Sequence, residues 1–301
     1  MMKKTISLLV CGAMLAGAIG AMTGCGDKGL ELEVWGSAAQ QETLKIMVEE
    51  FKKANPETKY NIKVGIGEED MAFSKVSQDA DAAADVYCYS NDQLIPLLRS
   101  GALAELGGIF LESVKADNSE ESVKSGAVGY GTADVKYYGY PYASDNGYFM
   151  FYDKSVLSDT DVNSLETIIS QCEKSGKKIN WALDVPWYTA GWFFAFGGTY
   201  SVEYDYKNNY KESNIEIDFN SENGIKASKA MAKLAGSTAF AGKKTDDEKI
   251  ITGFQTRQTA VAVSGTWNAK RIQEILGENY GVCKLPEVTV GDETVQLSSF
   301  K

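Results

Sequence analysis

The chain has 301 residues, of which 30 are basic and 41 acidic, giving a formal charge of −11 with no histidine. So acidic a surface cannot hold nucleic acid, whose affinity comes from neutralised phosphates, and offers no polybasic patch to a membrane. The missing imidazole removes Ser-His-Asp and Cys-His nucleophiles and the HExxH zinc site, while carboxylate-only chemistry stays open.

Lys3 and Lys4 precede an uncharged run of apolar or small residues from Ile6 to Ala21. This is the layout of a secretory signal peptide over residues 1–24, and the run is too short and glycine-rich for a membrane span. Cys25 comes next, and residues 25–29 read as a short flexible tether. Without residues 1–24, 28 basic and 41 acidic side chains leave a charge of −13.

Leu30, Leu32 and Val34 alternate with Glu31 and Glu33, which predicts a half-buried strand ending at Trp35. Residues 40–54 predict a helix with Leu44, Met47, Val48 and Phe51 on one face, stopped by Asn55-Pro56. Next come a strand over 60–66, a helical segment to about Asp79 and a strand over 85–89. Asn91 is a candidate cap for a helix with Leu94, Leu97 and Leu98 inward, closed by Gly101. This β-α-β-α-β-α series predicts an α/β layer with a mostly parallel sheet.

Residues 135–152 break the rhythm with an extended, tyrosine-rich stretch. Ser164 opens a helix closed by Gly176, and a strand runs near 178–183. The segment WYTAGWFFAFGG after Pro186 is apolar all round and predicts a buried helix. Residues 199–219 predict a surface hairpin, Ser221 opens another helix, and Thr245 to Glu248 read as a capping box for a helix to about Arg257. Strand AVAVSG, helix WNAKRIQEIL and strand GVCKLP complete a second α/β series. The expected division is a first lobe over 30–142 and a second over 143–301, each incomplete. A hydrophobic content of 44% supplies a sizeable core. Cys88, Cys172 and Cys283 form no CxxC and read as small buried hydrophobes.

Met22-Thr23-Gly24-Cys25 resembles the bacterial lipobox, although Leu is usual where Met22 stands. The resemblance implies a diacylglyceryl group on Cys25 and an anchor at the outer face of the bacterial cell membrane. Two acyl chains, at about 0.8 kcal/mol per buried methylene, make such an anchor stable.

The remainder resembles the sugar-binding proteins of ABC importers, the maltose-binding-protein family. The matching stretches are VWG with the helix ending FKKANP, ADVYCYSNDQLIPLLRSGALAEL, YYGYPYASDNGYFMFYDKSVL, DVPWYTAGWFFAFGGTY, QTRQTAVAVSGTWNAKRI and NYGVCKLP. Six pieces in order over about 270 residues make the resemblance specific. It implies a two-lobe periplasmic-binding-protein fold with a central cleft, hinge closure on an oligosaccharide of maltodextrin type, and delivery to membrane permease subunits. No cofactor, metal or catalysis is implied, and a monomer is expected. Family members continue beyond the point where this chain reaches Ser298-Ser299-Phe300-Lys301, so the expectation is a truncated pair of lobes with an exposed sheet edge.

A sugar offers weakly apolar C–H faces and directional hydroxyls, so its site combines aromatic platforms with Asp, Asn or Gln. Trp267 lies just after a strand and begins a helix, at the carboxyl end of a strand where open α/β sheets place ligands. The resemblance makes Trp267 and Trp187 stacking platforms, and places Tyr89 against the sugar. Tyr188 is a candidate of equal standing to a packing residue. Asp92 is a candidate hydroxyl acceptor or a plain helix N-terminal charge. Asp145 and Asn146, at the lobe junction, are candidate acceptors or a simple turn. The family's charged pair after the first strand is replaced here by SAAQQ, where Gln41 could substitute or simply lie on a helix surface. Trp192, Phe193, Phe194 and Phe196 read as core. The rival reading is a surface glycosidase using Asp92 and Asp145 as acid and base. A polyamine or peptide ligand is the alternative within the binding class.

Overall fold

The computed structural model describes residues 29–143, 147–242 and 245–299. They form two compact units. The first holds the described residues up to 143 together with Tyr204–Glu212. The second holds those from 147 to Glu203 and from Ser213 onward. Cys25 and the expected signal segment over 1–24, and the pair Asp145 and Asn146, lie outside the described residues.

The first unit opens with β1 (Leu30–Gly36), α1 (Gln41–Ala54), β2 (Tyr60–Ile66), α2 (Ala72–Gln78), β3 (Val86–Tyr87) and α3 (Leu94–Arg99). Its sheet has the order β2-β1-β3 and every pairing is parallel. Leu44, Val48 and Phe51 are buried on α1 at i, i+4 and i+7. Met47, expected inward, is 38% exposed because it stands at the margin of that stripe. The strand expected over 85–89 pairs for only two residues. The Cys88 N–H donates one more bond to Trp35 O at 3.1 Å, and the chain then turns. Ser90, not Asn91, occupies the cap of the helical turn at 91–93. Leu94, Leu97 and Leu98 are buried as predicted, and Gly101 supplies the left-handed φ of 73° that ends α3.

Beyond it lie β4 (Glu105–Leu106), α4 (Gly108–Asp117), α5 (Glu120–Ser125), β5 (Ala127–Val128) and β6 (Lys136–Tyr138). The three strands make a small antiparallel sheet, β4-β6-β5. Strands of two or three residues carry no readable alternation, so this sheet leaves no pattern in the sequence.

The second unit contains β7 (Tyr148–Asp153), α6 (Leu165–Ser175), β8 (Lys178–Asn180), α7 (Pro186–Ala195) and the hairpin β9 (Tyr200–Asp205) and β10 (Lys211–Ile217). It continues with α8 (Glu222–Ala235), α9 (Asp247–Gln255), β11 (Thr259–Gly265), α10 (Ala269–Leu276), β12 (Tyr280–Cys283), β13 (Glu287–Val290) and β14 (Glu293–Gln296). Caps fall largely where expected. Ser164 Oγ accepts from the Thr167 N–H, Ser221 Oγ accepts from the Gly224 N–H, and Gly176 closes α6 at φ 66°. On α9 the cap is Asp246, whose carboxylate accepts from the Lys249 N–H at 2.7 Å, one residue later than the expected Thr245. A carboxylate at this position satisfies an orphan amide and meets the helix dipole as well.

The main sheet of this unit is mixed, in the order β12-β7-β11-β8. β11 runs parallel to β8 and antiparallel to β7, and β7 is antiparallel to β12. All seven residues of β11 are buried. On one face Tyr148, Met150, Tyr152, Val261 and Val263 meet Leu165, Ile168, Trp192, Ala227 and Leu234. On the other, Phe151 and Ala262 meet Ile250, Ile251, Phe254, Ile272 and Leu276. The all-apolar sequence of α7 predicts burial on every side. Only Gly191 and Trp192 within it are fully buried, while Trp187, Tyr188, Phe193 and Phe194 are half-buried. Phe193 stacks on Phe219 at 4.3 Å. Cys172 is fully buried, and that burial pushes its thiol up to about 12; Cys88 and Cys283 are half-buried.

The tip of the β9–β10 hairpin belongs to the first unit. Arg99 Nε and Nη2 donate to Tyr210 O at 3.1 and 2.5 Å, and Nη2 also reaches Glu212 Oε1 at 2.8 Å. The hydroxyls of Tyr138 and Tyr210 are 2.9 Å apart.

Phe254 is fully buried against the sheet. Phe254→Ala is expected to cost about 3–5 kcal/mol in urea unfolding. A loss under about 1 kcal/mol would show that this face of the sheet is not sealed.

Candidate functional site

The carboxyl end of β11 assembles a polar and aromatic cluster within the second unit. Ser264, fully buried at the end of an apolar strand, needs partners. Asn268 Nδ2 donates to Ser264 Oγ at 3.0 Å, and Ser264 Oγ lies 3.4 Å from Asp247 Oδ1. The other oxygen of Asp247 accepts the Trp267 indole N–H at 2.8 Å. Trp267 sits in the single helical turn after Gly265 and is 48% exposed. Its six-membered ring lies over Gly265 so closely that any side chain there would collide with it.

Gly265 pairs across the sheet with Tyr148. Tyr148, only 1% exposed, meets Tyr188 edge-on at 5.0 Å and Trp187 edge-on at 5.9 Å. The first turn of α7, with Pro186 at its start, delivers both of these rings. Burial, and then the Asp247 charge, push the Tyr188 phenol up to about 12, against a hydrogen bond with Ser264. Trp187 and Tyr188 thus rest on Tyr148, while Trp267 is held by Asp247 and Gly265, the residue that pairs with Tyr148. Edge-on contacts to Tyr148 and the Asp247 hydrogen bond restrict how these rings can turn.

The first-unit candidates have other surroundings. Tyr89 packs between two small apolar clusters that include Trp35 and Leu97 on one side and Leu94 and Tyr138 on the other. Its hydroxyl is 3.5 Å from Tyr138 O and would meet a Cβ at Gly139 at 2.5 Å. Burial pushes that phenol up to about 12. The ring is half-buried between them. Asp92 is exposed and accepts from Ser90 Oγ at 2.5 Å and from Gln93 Nε2 at 3.3 Å. Gln41 Nε2 lies within 3.2 Å of the carbonyls of Gly36, Ser37 and Gly65, so its amide ties β1, β2 and the adjoining turn together. Nearby, at the carboxyl end of β2, a concavity of about 320 Å³ is lined by residues including Ile66, Glu68, Met71 and Lys75. The Lys75 ammonium stands 3.5 Å from the Trp35 ring centre.

Asp247, Ser264 and Tyr148 are the participants that sequence reasoning misses. A lone serine ending AVAV just before Gly-Thr-Trp is the available signal. Asp247 reads only as a residue of a helix start. Among the described residues no three of His, Cys, Asp and Glu are grouped to hold a metal, and no helix is long and apolar enough to cross a membrane.

Two α/β units, one with rings gathered at a strand's carboxyl end, define a protein of the two-lobe binding class. The chain matches the bacterial extracellular solute-binding protein family over residues 46–300 and belongs to that family. A solved structure determined with acarbose is 32% identical, with a TM-score of 0.76 over 90% of this chain and 68% of that one. The maltodextrin-binding protein of L. casei BL23 is 21% identical, with a TM-score of 0.71 over 91% of this chain and 68% of that one. The galacto-N-biose/lacto-N-biose I-binding protein of Bifidobacterium longum is 18% identical, with a TM-score of 0.67 over 87% and 66%. The last two share the fold. No protein of curated function matches the sequence.

Gly265→Ala is expected to displace the Trp267 ring without unfolding the sheet. Iodide quenching of tryptophan emission, referenced to Trp267→Phe, should change while the unfolding midpoint stays near that of the parent. Identical quenching in parent and Gly265→Ala would show that the ring does not rest on Gly265.

Proposed function

We propose that this protein captures an oligosaccharide, of maltodextrin type by preference, for an ABC importer. The observation that carries the reading is the exposed indole of Trp267, hydrogen-bonded to a half-buried carboxylate just past Gly265, which pairs with the tyrosine on which Trp187 and Tyr188 rest. Sugar C–H faces lie against such rings, and nearby oxygens serve the hydroxyls. Asp92, Asp145 and Asn146 are the proposed hydroxyl acceptors. Gln41 is left out, because its amide nitrogen is already engaged by backbone carbonyls. Tyr89 serves the reading as support for the segment leading to Asp92. The 32% identical structure with acarbose, and neighbours named for maltodextrin and lacto-N-biose, favour a carbohydrate over a polyamine or peptide. A ligand of this kind shifts a closing equilibrium only through its higher affinity for the closed state.

In the same reading the thiol of Cys25 carries the lipid that keeps the protein at the outer face of the cell membrane, next to its permease. Labelled palmitate should enter the wild-type protein and not Cys25→Ser, and the variant should appear in the medium. Equal labelling of both would remove the anchor.

Calorimetric titration of the full chain with maltotriose, maltotetraose, acarbose, lacto-N-biose and spermidine tests the ligand. Binding of at least one glucan is expected, and Trp187→Ala and Trp267→Ala should each lose about 1 kcal/mol or more. Silence with every sugar would end the assignment. Release of reducing sugar during the titration would favour the glycosidase reading instead.

A further inference from the structure

We infer that Asp247 is the positioning residue of the Trp267 platform, and that it holds the ring rather than the ligand; this rests on the carbohydrate reading above. An indole that is 48% exposed has few neighbours to fix its plane. Here two contacts do so. Gly265 supports the six-membered ring from below, and Asp247 Oδ2 takes the Nε1–H at 2.8 Å. The carboxylate is itself oriented, with Oδ1 on the Ser264 hydroxyl at 3.4 Å and that hydroxyl accepting from Asn268. Both oxygens are therefore turned toward the protein. The adjacent Glu248 takes the local cation, pairing with Arg271 at 2.9 Å. Asp247 Oδ2 thus serves a neutral N–H donor, while the Arg271 guanidinium, paired with Glu248, feels the Asp247 charge without being its hydrogen-bond partner. A first-turn acid is favoured by the helix dipole in any case, but the dipole does not require an indole partner. The same carboxylate is near enough to the Tyr188 phenol for its charge to be felt there.

The test uses the full chain labelled with ¹⁵N. The Trp267 indole N–H resonance is identified by its loss in Trp267→Phe. In the parent it should exchange slowly with solvent despite the exposed ring. Asp247→Ala should speed that exchange about tenfold or more, and Asp247→Asn, which keeps an acceptor oxygen, should restore most of the protection. Maltotetraose affinity should fall about tenfold in Asp247→Ala and stay within about threefold in Asp247→Asn. In the Trp267→Phe background, adding Asp247→Ala should change affinity by less than about twofold, because the ring has no N–H left to hold. Unchanged indole exchange in Asp247→Ala overturns the inference. So does a full further loss of affinity in the Trp267→Phe background, which would make Asp247 a direct ligand contact. Should Asp247→Ala fail to fold, Asp247→Ser takes its place with the same expectations. A parent protein that binds no sugar defeats the functional reading alone, and the exchange measurement still decides the geometry.

Discussion

The second unit is organised by β11, a seven-residue strand with no face open to solvent. Its neighbours β7 and β8 fix its register, and a slip of one residue would exchange the side chains that meet the two cores. The strand therefore ends at a fixed place, and the residues just past it are positioned with the same accuracy. Ser264 is the last buried side chain, Gly265 leaves room, and Trp267 emerges two residues later. A buried hydroxyl cannot be left without partners, so Asn268 and Asp247 are drawn to the same point. The polar side of the candidate site is a consequence of satisfying one serine.

The aromatic side has an equally specific support. Tyr148 lies under both Trp187 and Tyr188, and pairs across the sheet with the glycine that carries Trp267. Rings held from beneath by edge-on contacts lose little freedom when a ligand arrives, which is the physical content of preorganisation.

Elements with a local signal are legible in the sequence. α6 between Ser164 and Gly176, α8 after Ser221 and the apolar run of β11 carry caps or continuous hydrophobicity that few other structures could explain. The six family-like stretches also point to the correct class by themselves. The features that escape depend on contacts between distant residues. The β4-β6-β5 sheet is built from fragments too short to show a period, and β7 enters its sheet against the direction of β11. The two residues of β3 pair and the chain then bends, although the composition of 85–89 favours a longer strand. Trp187, Tyr188 and Trp267 can be named from type and position. Asp247 cannot, because its partner is twenty residues away and its local role is that of an ordinary helix start. The sequence equally gives no sign that the Gln41 amide bonds the carbonyls of Gly36, Ser37 and Gly65, or that the Tyr89 hydroxyl lies 3.5 Å from Tyr138 O.

The hairpin of β9 and β10 starts and finishes in the second unit, yet its turn is counted among the residues of the first. The first unit is therefore a discontinuous piece of chain. A gene fragment ending near residue 143 would lack Tyr210 and Glu212. It would leave the Arg99 guanidinium without its carbonyl and carboxylate and the Tyr138 phenol without its neighbour. Dissecting this protein into halves at the obvious linker thus yields two incomplete parts, and a permuted chain that restores the turn to its own unit is the natural way to separate them.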